Sequence, residues 1–253
     1  MARLPAIPAK LLPWLDILAI AAWGILILGY WILGKMDLLI HKNYVPLTVS
    51  AGVALLAIAA YRLQHFLRSR RSPQPALQHL SLLPPGWGSC LLLGVAILAL
   101  LIPPRAFASQ TAIQRGVNDA ITLTRVRPQA FRLNSNPANR TLVEWIRTLQ
   151  TYPEPDTYVG QKAKVQGFVV YPSQMAEEYF LITRFVITCC AADVYPVSLP
   201  VKLKSGDRRT YPQDQWLEVE GQMITETLNQ KRQLVIQATA LKPIQQPKNP
   251  YEY

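Results

Sequence analysis

GQKAKVQGFVVY, residues 160–171, sets Ala163, Val165 and Gly167 in alternation with polar side chains and then turns wholly apolar. A period of two marks a strand with one wet face and one dry. Four more runs follow: EYFLITRFVITC (178–189), SLPVKL (198–203), QWLEVEGQMI (215–224) and RQLVIQATALKPI (232–244). Pro200 removes a backbone donor from the third of these, which predicts an edge strand. Leu228-Asn229-Gln230-Lys231 is the polar tip between the last two.

Five strands with regularly spaced turns predict a small closed or nearly closed sheet, with a two-layer sheet as the alternative. Gly167 and Gly221 stand where a tightly curved strand has to bend. The expected fold class is an all-β OB-like small barrel behind an N-terminal transmembrane α-helical anchor. One helix precedes the barrel. In TLVEWIRTLQ, Leu142, Trp145, Ile146 and Leu149 share a face, Asn139 is the expected cap, and Pro153 and Pro155 stop the helix. Residues 104–138 read as a polar linker outside the cytoplasm. It ends in Asn134-Ser135-Asn136-Pro137, so the β domain is expected over 139–253.

Residues 1–103 read as the anchor. Three stretches, about 14–33, 44–61 and 87–103, are apolar over close to the ~20 residues a helix needs to cross ~30 Å of hydrocarbon. Trp14, Trp31, Tyr44, Tyr61 and Trp87 lie near their ends, where amphipathic rings favour the headgroup region. The first stretch is too long for the apolar core of a signal peptide and has no small-residue cleavage site before Lys35. Asp16 is expected at the interface, and Gly86, Cys90 and Gly94 form a small-residue stripe suited to helix packing. Without a run of buried polar groups, these helices suit an anchor in membrane lipid better than a transport pathway.

Charge sets an expected orientation. Arg3, Lys10, Arg62, Arg68, Arg70 and Arg71 fall on one side, against Lys35, Lys42, Arg105 and Arg115 on the other. That bias puts the N-terminus inside and everything beyond Pro103 outside the cytoplasm. Residues 1–138 hold 13 Lys/Arg and 3 Asp/Glu, whereas 139–253 hold 13 and 12. The net charge of +11 therefore belongs almost wholly to the first half. A near-neutral barrel leaves nucleic acid out of the expected partners.

RFVITCCAADVYP (184–196) carries the candidate chemistry. Neighbouring side chains on a strand point to opposite faces, so Cys189 and Cys190 cannot converge while the strand continues. If TCCAAD leaves the strand in a turn, both sulfurs and Asp193 can meet. A zinc site still needs a fourth ligand, and the three histidines, His41, His65 and His79, all precede the third apolar stretch. A soft ion such as Cu(I) needs fewer ligands, and a vicinal disulfide is a further option outside the cytoplasm. Packing, metal or substrate binding, and thiol redox chemistry all remain open, and packing requires the least. No serine-nucleophile elbow, zinc-protease motif or phosphate loop is present, and a cysteine nucleophile would lack its usual histidine base. An enzyme is therefore not expected, and no cofactor is specified.

RFVITCCAAD, with GFVVY ahead of it, WLEVEG after it and the terminal PKNPYEY, resembles the YcgQ-type family of bacterial two-component membrane permease subunits. The likeness is specific from about 140 to 253 and architectural before that. It implies a larger many-span permease as partner, with this chain as its accessory subunit. Arg184, Phe185, Cys190, Ala192 and Asp193 match the core of the motif. Cys189 stands where the family also shows His, an alternation that suits a ligand. Some relatives carry a His-rich stretch between spans, whereas here that loop holds only His65 and His79 among arginines.

The expected function is a non-enzymatic accessory subunit of a permease complex, whose extracytoplasmic barrel docks on the permease or binds its ligand. Arg184, Phe185, Cys189, Cys190 and Asp193 form the expected ligand- or partner-binding cluster, and Cys189, Cys190 and Asp193 the expected metal ligands. In the simpler version, an Arg184–Asp193 salt bridge merely closes a turn. The alternative is a membrane-tethered thiol redox or metal-sensing protein using Cys189 and Cys190.

Overall fold

Strand β1 (Lys162–Val170) has two neighbours, and that pairing organises the C-terminal half. From Lys162 to Phe168 it runs antiparallel to β4 (Trp216–Leu228), and from Phe168 to Val170 antiparallel to β2 (Tyr179–Val186). β2 pairs along its length with β3 (Tyr195–Lys202), β3 pairs in parallel with β5 (Lys231–Pro243), and β5 returns to β4. Five strands thus form a hydrogen-bonded ring. A sixth, β6 (Tyr251–Glu252), lies parallel to the end of β2. The computed structural model from which this is read describes residues 7–8, 10–68, 84–116, 137–173, 175–204 and 206–253. Arg3, Arg70, Arg71, His79, the Asn134–Asn136 turn and most of the anticipated linker lie outside these residues.

Ring closure forces close backbone approaches at the two glycines singled out by the sequence. A Cβ on Gly167 would sit 2.5 Å from the Thr183 carbonyl oxygen, and one on Gly221 2.3 Å from that of Gln237. The β4–β5 register slips between Glu220 and Gly221, the irregularity expected where a strand bends.

Pro200 corrects the edge-strand expectation, because β3 has neighbours on both sides. Its pairing with β5 is confined to Val201 and Lys202. Pro196 and Pro200 precede that shared stretch, so neither missing N–H breaks it. β6 is also new: two residues are too few for a period to register.

Helix α5 (Leu142–Thr151) packs Leu142, Trp145 and Ile146 into the core beside Val165, Ile182, Leu199, Leu217 and Ile236. Its cap is Thr141, not Asn139. The Thr141 hydroxyl accepts from the Glu144 N–H at 3.2 Å, and the Glu144 carboxylate accepts from the Thr141 N–H at 2.8 Å, a reciprocal capping box.

The chain divides into two units, Met1–Arg105 and Ala106–Tyr253. The second begins earlier than the sequence suggested. Helix α4 (Ser109–Gln114) and its flanks are tied to the strand unit through Ser109 N–H to Asp214 (2.6 Å) and Phe107 N–H to the Tyr251 hydroxyl (3.3 Å).

In the first unit, α1 (Leu12–Ile32) and the helical stretch Lys42–Arg68, which contains α2 (Val45–Arg68), are long and apolar enough to cross a membrane. α3 (Trp87–Leu101) has 15 residues, about 22 Å of helix, and falls short of ~30 Å of hydrocarbon. Left-handed Gly86 starts it and Pro103 follows its end. α1 and α2 meet at small residues: a Cβ on Gly24 would lie 3.1 Å from the Gly52 carbonyl oxygen. Of the anticipated stripe, Gly86 packs closely on Leu12 at the start of α1, where a Cβ would lie 2.4 Å from a leucine methyl, whereas Gly94 has nothing within 4 Å of its would-be Cβ. Further along, α1 and α3 are linked at Asp16–Ser89, Trp23–Leu92 and Tyr30–Ala99. These three α1 positions recur every seven residues on one helix face.

Gly221→Ala forces backbone to move and is expected to cost about 2–3 kcal/mol. Thr141→Ala removes only a cap and is expected to cost about 1 kcal/mol. Urea denaturation of the detergent-solubilised protein, followed in the far ultraviolet, should rank them in that order. The reverse order would contradict the ring closure at Gly221.

Candidate functional site

β2 ends at Val186, where Ile187 gives its N–H to the Glu252 carbonyl at 3.0 Å. Held between β3 and β6, the chain leaves the sheet at Thr188 and turns through Cys189–Asp193. The Asp193 N–H donates to the Cys190 carbonyl at 3.0 Å and closes the turn. Because the chain bends at Thr188 and Cys189, the opposite-face rule lapses and the two thiols converge.

Asp193 organises this turn from the inside. Its Oδ2 accepts from the Thr188 hydroxyl and from the Cys189 N–H (2.8 Å), while Oδ1 accepts from the Cys190 N–H (3.2 Å). Burial alone would raise this carboxyl, but the bonds from Thr188, Cys189 and Cys190 outweigh it and hold it below its ordinary value. A carboxylate that accepts backbone N–H groups in this way would shape the turn even if nothing bound there.

The sulfurs of Cys189 and Cys190 lie 3.6 Å apart, well beyond the ~2.05 Å of a disulfide, and both are free. Together with an Asp193 oxygen they fall within 4.8 Å of one another. Two zinc–sulfur bonds of ~2.3 Å at a tetrahedral angle would set sulfurs about 3.8 Å apart, close to the observed spacing. With Oδ2 already accepting twice, Oδ1 keeps a lone pair for an ion. The donor set of two thiols and a carboxylate suits a soft or borderline ion and leaves a fourth position for water or another protein's side chain.

Without an ion, the cluster suppresses thiol reactivity. Cys189 is exposed, yet its hydrogen bonds to Asp193 and to Cys190 and the neighbouring negative charge push its thiol up to about 11. It is therefore protonated at neutral pH, unlike a reactive thiolate.

Arg184 and Phe185 make different contacts. Arg184 pairs with Glu252 at 3.4 Å and lays its guanidinium over Trp216 at 5.1 Å, which corrects the simple Arg184–Asp193 bridge. Burial lowers Arg184 and raises Glu252, and each partner's charge works against that shift. Such a pair costs more to break than it gains by forming. Phe185 is buried in an aromatic cluster, stacked on Phe168 at 5.4 Å and edge-on to Phe107 at 5.7 Å. The structure thus brings Cys189, Cys190 and Asp193 together and gives Arg184 and Phe185 packing contacts. Sequence reading missed Thr188 and Glu252. A hydroxyl next to the cysteine pair was the available signal for Thr188, and nothing local distinguished Glu252.

Asp193→Asn removes the largest cause of the raised Cys189 thiol. With Cys90→Ala and Cys190→Ser to isolate Cys189, alkylation at pH 8 should be slow and should accelerate at least about tenfold on Asp193→Asn. Equal rates with and without the carboxylate would show that Asp193 does not govern this thiol.

No curated protein matches the chain. Residues 132–253, which span α5 and every strand of the sheet, match the family model described as the DUF1980 C-terminal domain, a similarity consistent with the YcgQ-type resemblance.

Proposed function

We propose that this chain is a non-enzymatic accessory subunit of a membrane permease complex. Its three helices anchor it in the lipid bilayer, and its strand unit is an OB-like barrel held outside the cytoplasm. The observation that carries this reading is the exposure of the first unit's apolar side chains: Ile32 is 75%, Leu101 74% and Leu47 69% accessible in the isolated chain. Helices so apolar on their outer faces need lipid or other helices around them. α3 is short, but its links to α1 place it in the same bundle. The ring order β1-β4-β5-β3-β2, with β3 and β5 parallel, supports the OB-like assignment.

In this reading the barrel provides a docking or ligand-presenting surface, and its composition supports a non-enzymatic role. Its only cysteines are the pair at 189–190, it holds no histidine, and the exposed thiol is held protonated. A second reading, a membrane-tethered metal sensor, is favoured by the convergence of Cys189, Cys190 and Asp193 within 4.8 Å. The raised Cys189 thiol weighs against the redox form of that alternative.

Gentle detergent extraction of tagged protein from native membranes, followed by mass spectrometry, tests the proposal. Recovery of a many-span permease in near-equal amount is expected, and it should persist in a Cys189→Ser, Cys190→Ser variant. Recovery of the chain alone, with a stoichiometric metal lost in that variant, would overturn the accessory role in favour of the sensor.

A further inference from the structure

The three helices border an open cavity of about 620 Å³ whose wall carries an acid, a base and a hydroxyl, one from each helix: Asp16 of α1, Arg62 of α2 and Ser89 of α3. The rest of its lining includes Trp23, Leu55 and Leu92. Ser89 donates its hydroxyl proton to Asp16 Oδ1, and the Trp23 indole N–H donates to the Leu92 carbonyl at 3.1 Å. These bonds fix the α1–α3 wall and orient the carboxylate. Among the described residues Asp16 and Arg62 are not joined as an ion pair, which would need 4.0 Å or less, although both face the same cavity.

Their depth is defined by helix position. Asp16 lies four residues inside the start of α1, and Arg62 six residues before the end of α2, which is about 6 and 9 Å of helix. If the helices span the bilayer, the polar groups sit at the boundary between headgroups and acyl chains, with apolar wall extending deeper. An unpaired acid and base at that depth are costly without partners of opposite charge.

Resting on the membrane reading above, we infer that this cavity binds a zwitterionic phospholipid with a primary-amine headgroup. Arg62 takes the phosphate through its guanidinium donors. Asp16 accepts hydrogen bonds from the ammonium group, and Trp23, Leu55 and Leu92 line the path of an acyl chain. Neither charge alone selects such a lipid. An anionic lipid satisfies Arg62 but faces the Asp16 carboxylate, and a trimethylated amine offers Asp16 charge without an N–H donor. An arginine that merely reaches for any headgroup would show no selectivity.

The full-length protein, purified in detergent and exchanged into mixed micelles, can be read by native mass spectrometry. Equal amounts of phosphatidylethanolamine, phosphatidylcholine and phosphatidylglycerol would be supplied as probes. One phosphatidylethanolamine should be retained per chain, at least about tenfold over either competitor. Asp16→Asn, which can still accept from Ser89, should abolish the preference without abolishing lipid retention. Arg62→Gln should lower retention of all three, and Arg62→Lys should restore part of it. Unselective retention by the wild type, or a preference unmoved by either substitution, would overturn the site while leaving the anchor intact. Release of the chain from membranes by alkaline carbonate would overturn the anchor and the site together.

Discussion

β1 has to serve two neighbours at once, and the second unit depends on how it does so. Its first residues belong to β4 and its last to β2, with Phe168 in register with both Trp216 and Thr183. A strand that changes partners within nine residues must bring three backbones close, and glycine is the residue that allows it. Once closed, the ring buries Val165, Ile182, Leu217 and Ile236 in one core that α5 packs against. It also fixes where β2 ends.

That end point makes the cysteine turn a defined object. β2 is clamped by β3 on one side and by the two residues of β6 on the other, so the chain emerges at Thr188 in a set direction. Asp193 then gathers three donors from Thr188, Cys189 and Cys190 into one carboxylate. The consequence for chemistry is two-sided. The carboxylate supplies a third, hard donor beside two soft ones, and its hydrogen bond and charge keep the nearer thiol protonated until an ion or a change of environment displaces the proton.

What could be read in the sequence followed the length scale of each signal. Strands five or more residues long could be identified from β1 through β5, by alternation in β1 and β4 and by aromatic and β-branched content in the fully buried β2, as could the α5 face of Leu142, Trp145 and Ile146. Convergence of the sulfurs was legible as a condition: it required TCCAAD to leave the strand, and it does. The features that escaped depend on chain segments far apart in sequence. Arg184 finds Glu252 only because β6 docks on β2, and Pro200 is tolerated inside the sheet because the β3–β5 pairing begins only at Val201. In the helical unit, Asp16 read singly as an interfacial residue, and Trp23 and Tyr30 carried no signal of their own. Their common spacing takes on meaning when α3 lies alongside.

The central claim is that an apolar helical unit holds the ring-closed strand unit outside the cytoplasm. Its most direct test is labelling from one side of the membrane. Lys231, exposed at the β4–β5 tip, can be changed to cysteine in a chain lacking Cys90, Cys189 and Cys190. The protein should then react with a membrane-impermeant maleimide on intact spheroplasts as fully as after lysis. Labelling that appears only after lysis would place the strand unit in the cytoplasm and contradict the account.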